Sequence, residues 1–360
     1  MENEPRRGHP YHMHDAILAQ PDAFARAAQR NEDSADRFVD EVASCRRLFL
    51  VGIGTSHHAA LVGEHLFRLY GGGVDVRAVH SFDFALYGPE LTAEDCVVAV
   101  SHRGTKRYTA LALGRAREAG CRTALVTGEG EAAGDAAGPV FRTVAQEKSP
   151  AHTVSYTTAV AVLALLAART GRARTGAETL PEGVLSEEVP TALWAALGTE
   201  DEAARLAREH LDRRRIWLVG GGPDAVTAAE TALKIRETSY LQAEGLPTEA
   251  MLHGPFQCVE AEDLFVLVAP EGAARERTLE VAGLAREVGS EVVVVDDGAG
   301  EAPAGVRLFV PSIPEPFSAL TCLVPLQLFS YHLALARGTN PDSFRTDDAR
   351  FARADVSGRL

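Results

Sequence analysis

The amino-acid sequence predicts an α/β protein built from two tandem domains, each a parallel β-sheet flanked by helices. The first observation behind this is a self-similarity. "RRLFLVGIGTS" from Arg46 aligns with "RRIWLVGGGPD" from Arg214, an offset of 168 positions, and the same offset lays "DCVVAVSHRG" from Asp95 on "DLFVLVAPEG" from Asp263. One inserted residue later, "AREAGCRTALVTG" from Ala116 falls on "AREVGSEVVVVDD" from Ala285. Solenoid repeats recur every 20 to 50 residues or so, and the longer period marks a duplicated domain. The second observation is the alternation of short β-rich apolar runs with segments of helical period, the pattern of βαβ units whose sheet is covered on both faces.

Taken in order, residues 1–35 read as an N-terminal arm. The first domain, 36–185, has strands at "RLFLVGIG", "DVRAVH", "CVVAVS" and "TALVTG", with helices at "HHAALVGEHLFRLYG" and "TALALGRAREAG" between them. "PEGVLSEEVP" from Pro181 to Pro190 reads as the linker. The second domain, 200–340, repeats the pattern, and a polar tail, 341–360, begins near "GTNPDSFRTDD". In sheets of this kind ligands bind just beyond the carboxyl ends of the strands, where both "GIGTS" and "SHRGTK" fall.

Composition narrows the function. The 360 residues, 46% hydrophobic and 24% charged, suit about two domains with ample core. No window is read as the run of about 20 apolar residues that a membrane helix needs, and "MENEPRRGHP" is no signal peptide. The expectation is a soluble, cytoplasmic protein without a membrane partner. A formal net charge of −14 argues against nucleic acid as a partner, since phosphate neutralisation needs basic surface, so any anion site must be local. Five scattered cysteines without a C-x-x-C pair indicate neither disulfides nor zinc, and are read as small core residues. Only three lysines stand beside 33 arginines: Lys106, Lys148 and Lys234. Where a lysine survives, a compact and tunable ammonium is preferred to a planar guanidinium.

Several residues carry candidate chemistry. "SHRGTKRY" places Ser101, His102, Arg103 and Lys106 around a glycine where a strand hands over to a helix. Such a place either binds an anion or is a solvated basic turn. Thr55 and Ser56, after Gly54 in "GIGTS", donate hydroxyl and backbone groups to a ligand or cap the next helix, and both can hold together. In "AAETALKIRETSY", Glu230, Lys234 and Glu237 share one helical face, which also holds Leu233 and Leu241. That is a surface ion-pair ladder, or carboxylates at an apolar border whose raised pKa makes one a base near neutrality. His253 before Gly-Pro is a turn residue or a proton-transfer group. His57, His58 and His65 lack a carboxylate or cysteine at ligand spacing, so no metal is expected.

Taken together these segments resemble the SIS (sugar isomerase) family, and within it the isomerase half of glutamine:fructose-6-phosphate amidotransferase. "YHMHDAILAQPDAF" from Tyr11 is similar to that family's lead-in, "GIGTSHHAA" to its Gly-Thr-Ser loop, and "SHRGTKRYT" to its Ser-x-Ser-Gly-x-Thr phosphate loop. "EKSPAHTVSYTTA" is similar to its third loop, "ALKIRETSYLQAEGLPTEAMLHGP" to its catalytic helix and following loop, and "VPLQLFSYHLALARGTNPD" to its closing helix. The resemblance runs from about residue 11 to residue 342. It implies two SIS domains, each a five-stranded, flavodoxin-like sheet, no cofactor, and a homodimer with shared active sites. It implies Glu237 as proton shuttle between C1 and C2 of a sugar phosphate, Lys234 as its orienting cation, Glu230 in the same pocket, and His253 as the ring-opening residue. Gly54, Thr55, Ser56, Ser101, His102, Arg103, Lys106, His152 and Thr153 are the implied substrate-binding set.

The departures shape the expected activity. Arg103 and Lys106 stand where the family has a serine and a threonine, and would bind an anion through charge-assisted bonds. His152 stands at a serine position and Val154 at a lysine. The family's glutaminase domain and terminal cysteine have no counterpart, so glutamine is not the expected nitrogen source. Nor does the closing lysine: the tail offers Arg345, Arg350 and Arg353. The expectation is therefore a sugar-phosphate or aminosugar-phosphate isomerase. Removal of the nitrogen substituent, by a fructosamine-phosphate deglycase or aminosugar-phosphate deaminase, is the near alternative. A non-catalytic sugar-phosphate sensor is the alternative of a different class.

Overall fold

The computed structural model describes residues 6–130, 138–298 and 305–354. It opens with three helices, α1 (His12–Leu18), α2 (Gln20–Arg30) and α3 (Glu32–Ala43). There follow β1 (Arg47–Gly52), α4 (Thr55–Tyr70), β2 (Val76–His80), α5 (Ser81–Tyr87), β3 (Asp95–Val100), α6 (Arg107–Glu118), β4 (Arg122–Glu129), β5 (Val140–Ala145) and α7 (Val154–Thr175). The second half comprises α8 (Val189–Leu197), α9 (Glu200–Glu209), β6 (Ile216–Gly220), α10 (Pro223–Ser239), β7 (Ala243–Pro247), α11 (Thr248–Leu252), β8 (Leu264–Val268), α12 (Arg275–Val288), β9 (Glu291–Asp296), β10 (Val306–Phe309), α13 (Glu315–Thr321) and α14 (Leu323–Ala336). By contact the chain divides into two compact units: one within 19–147 and 154–190, the other within 191–353 together with 6–18 and 148–153.

Each unit holds one five-stranded, wholly parallel sheet, of order β2-β1-β3-β4-β5 in the first and β7-β6-β8-β9-β10 in the second. Counted within its own half, each order is 2-1-3-4-5, that of flavodoxin-like sheets. The central strands β1, β3, β6 and β8 are buried along almost their whole length, as the unbroken apolar runs predict. Phe49, Val51, Val97 and Leu125 meet Ala112 and Ala116 of α6 on one face of the first sheet. Trp217, Val219, Phe265 and Val294 meet Val281 and Ala285 of α12 in the second. Burial of each such large side chain contributes about 1.5–3 kcal/mol.

The duplication is preserved in detail at both ends of the central strands. At the start of β1, Arg47 grips the buried carboxylate of Asp95 through two bonds of 2.8 and 2.6 Å, and Arg215 pairs with Asp263 in the same way at 3.2 Å. At the other end, Gly52 and Gly220 lie so close to the following helix that a Cβ would stand 2.4 Å from Ser56 O and 2.5 Å from Asp224 O. Two residues on, Gly54 and Gly222 take φ 56° with ψ of −130° and −129°, a conformation that favours glycine.

Several expectations are corrected. Two segments, Val154–Thr175 and Glu315–Ala336, are long and apolar enough to cross a membrane by length and composition, although no such run is expected from the sequence; they are 89% and 83% buried inside the protein and serve as core helices. The stretch Pro181–Pro190 is more than a linker: it forms a π-helical turn, Val184–Glu188, that buries Leu180 and Val184 and packs on α2 and α7. Four cysteines are buried, but Cys258 is exposed.

Candidate functional site

A sheet of order 2-1-3-4-5 has its topological switch point between its first and third strands, so the loops after β1 and β3 flank the natural ligand crevice. α4 starts at Thr55 after Gly54, with no side-chain cap. Thr55 and Ser56 thus sit in the helix's first turn, and the N-cap position itself is Gly54. Both line a small pocket with His102, Thr127, Thr143, Ser155 and Tyr156, above an apolar floor that includes Ala59, Val100 and Ala159.

His102 is a structural member of that wall. Its carbonyl accepts bonds from Gly128 N (2.9 Å), Thr127 Oγ1 (3.1 Å) and Gln146 Nε2 (2.9 Å). Its ring Nε2 accepts the Glu147 N–H at 3.0 Å, which fixes the neutral Nδ1–H tautomer. Burial, and then the charge of Arg103, push this imidazole down to about 4. Glu147 in turn accepts the Ser155 N–H at 2.8 Å and neutralises the N-terminal end of α7.

The basic residues of the loop lie elsewhere. After Ser101 the chain turns at Gly104 (φ 69°), Arg103 is exposed, and Lys106 is the half-buried residue before α6. Burial and Arg103 lower the Lys106 pKa. Neither side chain lines the pocket, whose polar groups are hydroxyls and an imidazole, and Gly54 and Ser101 are likewise absent from the lining. The Ser101 hydroxyl is buried without a hydrogen-bond partner among the described residues. Thr127, Thr143, Ser155 and Tyr156 were not singled out by sequence. Ser155 and Tyr156 lie inside the quoted "EKSPAHTVSYTTA", and Thr127 is the penultimate residue of "TALVTG", so the hydroxyls within these segments were the available signal.

The second unit carries the charged set. Glu230 and Lys234 on α10 are 0% and 1% exposed, and Glu237 is 21% exposed. The Lys234 ammonium donates to Glu237 Oε2 at 2.6 Å and stands 3.4 Å from Glu230 Oε1. An ion-pair ladder on an open helix face would not be buried in this way. Burial raises the Glu237 pKa, against the opposing pull of Lys234. His152 and Thr153 belong to this unit by contact. His253 follows the short α11, with its side chain 76% exposed and its Nε2 3.1 Å from Glu249 Oε2, which shares its carboxylate with Arg277. Among the described residues no group of three or more histidine, cysteine or acidic side chains is arranged to hold a metal ion.

Two doubly wound sheets, a hydroxyl-lined pocket at one switch point and an acid–ammonium–acid set on one helix together define a duplicated α/β protein. The chain belongs to the SIS domain family, whose signature matches residues 41–169 and 211–337. It is 30% identical over 346 residues to the glutamine–fructose-6-phosphate aminotransferase (isomerizing) of Pyrococcus horikoshii, covering 95% of this chain. The chain spans 58% of that relative's length. The C-terminal domain of glucosamine-fructose-6-phosphate aminotransferase from Francisella tularensis has the same fold, with a TM-score of 0.84, 19% identity and coverage of 93% of this chain and 99% of that one. Tagatose-6-phosphate ketose/aldose isomerase from Escherichia coli also has this fold, with a TM-score of 0.80, 19% identity and coverage of 95% and 97%.

Proposed function

We propose that the chain is an enzyme that moves a proton between C1 and C2 of a phosphorylated sugar or aminosugar, with Glu237 as the base. The observation that carries this reading is the burial of Glu230 and Lys234 on α10 beside the half-buried Glu237, whose pKa is raised by desolvation. A carboxylate that titrates closer to neutrality takes up and returns a proton more readily than an exposed one. Lys234, 2.6 Å from it, holds the carboxylate in one orientation and supplies positive charge for a developing enediolate oxygen. Within the first unit, the Thr55 and Ser56 hydroxyls at the start of α4 and the basic Arg103 and Lys106 after β3 are the candidate groups for attracting an anion. His253, exposed at the end of α11, is assigned the ring-opening proton transfer in a homodimer of this chain.

Loss of the nitrogen substituent is the second reading, and one observation favours it. No lysine lies between Lys234 and Leu360 to form a Schiff base with an open-chain sugar. Arg350 is paired with Asp348 at 2.6 Å, and Arg345 stacks on Tyr240 and Phe351. Incubating the protein with hexose phosphates and fructosamine phosphates, and identifying products by NMR, separates the readings. Aldose–ketose interconversion supports the first and released amine the second. Saturable binding without turnover refutes both and leaves a sensor.

A further inference from the structure

The segment before α2 is fastened by histidines that take no part in the sites above. His14, buried on α1, hydrogen-bonds through Nε2 to Glu200 Oε1 at 2.7 Å, and His332 on α14 reaches the same oxygen through Nε2 at 2.9 Å. An ionised carboxylate only accepts, so both rings carry their proton on Nε2. These are hydrogen-bond separations; ligands about 2.0–2.1 Å from a shared tetrahedral zinc would stand about 3.3 Å apart. His9 adds a third imidazole: its Nδ1 is 2.8 Å from the Tyr331 hydroxyl, which also accepts the Tyr11 N–H at 3.1 Å. The His9 and His14 rings lie 5.0 Å apart, and each is 6.4 Å from His332.

Burial works to raise the Glu200 pKa, but the bonds from His14 and His332 outweigh it and hold the carboxyl below its ordinary value. Burial lowers the His332 pKa, against the opposing pull of Glu200. Tyr331 is pushed up to about 12 by burial and stays neutral. Asp342, whose charge also acts on Tyr331, is engaged by the His12 and Met13 N–H groups at the start of α1, at 2.7 and 3.1 Å. Arg6 and Asp15 neutralise each other at 2.7 Å.

We propose that His9, His14 and His332, gathered on Glu200 and Tyr331, form a proton-operated clasp that fastens residues 6–18 to α9 and α14 at neutral pH and releases them in acid. Glu200 balances one imidazolium. A second proton places two cations within about 6 Å of each other around one carboxylate, where they repel. The clasp adjoins the candidate base within the same unit: Thr238, next to Glu237, donates to Ser330 O on α14 at 3.3 Å and accepts at its carbonyl from Thr339 Oγ1 at 2.6 Å. The proposal requires no particular substrate.

Hydrogen exchange of the full chain, read by mass spectrometry at pH 7.5 and 5.5 and normalised for intrinsic rates, tests it. Peptides covering residues 11–18 are expected to lose roughly tenfold or more in protection at pH 5.5, while peptides from β6 and β8 keep theirs. The double variant His14→Gln/His332→Gln retains amide N–H donors toward Glu200 and cannot form the second imidazolium, so its protection at pH 5.5 is expected to match that at pH 7.5. Glu200→Gln is expected to exchange fast at both. Equal protection of the wild-type peptide at the two pH values overturns the proposal, as does a double variant that loses protection in acid as the wild type does.

Discussion

Replacing Lys234 with methionine keeps the length of the stem and removes the charge between two buried carboxylates. At an effective dielectric of about 20, the contacts of 2.6 Å to Glu237 and 3.4 Å to Glu230 correspond to gross attractions of about 6 and 5 kcal/mol. Desolvation of the three groups offsets most of this, and deleting one partner of such a buried set costs about 3–5 kcal/mol because the remaining charges are left uncompensated. The carboxyls can escape by taking up protons. In the variant the Glu237 pKa, already raised by burial, rises further above the ordinary 4.5, so the deficit grows as pH rises and shrinks toward pH 5. Urea unfolding followed by circular dichroism should show a loss of about 3 kcal/mol or more at pH 7.5 and less than half of that at pH 5.0. A loss below about 1 kcal/mol at pH 7.5 would refute the reasoning, because surface pairs are worth that little. So would a deficit equal at both pH values.

Three further outcomes rest on single buried groups and one close approach of backbone. His102 titrates at about 4 in the fold against 6.5 outside it, so the unfolded chain takes up a proton first and stability is lost as pH falls from about 6.5 toward 4. That contribution reaches about 1.4 kcal/mol at pH 5.5, and His102→Gln should flatten the fall in stability between pH 7.5 and 5.5 by that amount. Asp224 is buried with its pKa raised well above 3.8 by that burial, despite the Ser318 hydroxyl at 3.2 Å. A raised acid loses stability as pH rises, so Asp224→Asn should be more stable than the wild type at pH 8 in thermal melts, with the gap closing toward pH 4. In Gly52→Ala the new Cβ would fall 2.4 Å from Ser56 O; displacing the start of α4 should cost about 1–3 kcal/mol in unfolding experiments and weaken sugar-phosphate binding in titration calorimetry.

The sheet core was legible in the sequence wherever burial is complete. The runs that became β1, β3, β6 and β8 are apolar without a break, and the 168-residue offset correctly pairs Arg47 and Asp95 with Arg215 and Asp263. The strands left unread, β5, β7 and β10, are sheet edges or short and half-exposed, and β7, "AEGLP", holds a glycine and a proline that an edge strand tolerates. On α10 the helical period alone put Glu230, Lys234 and Glu237 on one face, but their burial depends on what packs there, which periodicity does not report. The pocket was read less well. Charge in "SHRGTKRY" drew attention to Arg103 and Lys106, whereas the wall is built by hydroxyls from α4, α7, β4 and β5 and by a histidine fixed through the backbone of Glu147, contacts that only the tertiary fold creates.

The central claim, that Glu237 shuttles a proton between adjacent sugar carbons, is tested most directly by deuterium uptake. The protein and its Glu237→Gln variant are incubated with each hexose phosphate in deuterated water, and label at C1 or C2 is followed by NMR, with binding measured in parallel. The account predicts label with at least one sugar phosphate for the wild type, and for the variant binding that persists while exchange falls by about two to four orders of magnitude. Exchange of equal rate in the variant would contradict the role of Glu237, and saturable binding with no exchange in the wild type would contradict the proton transfer itself.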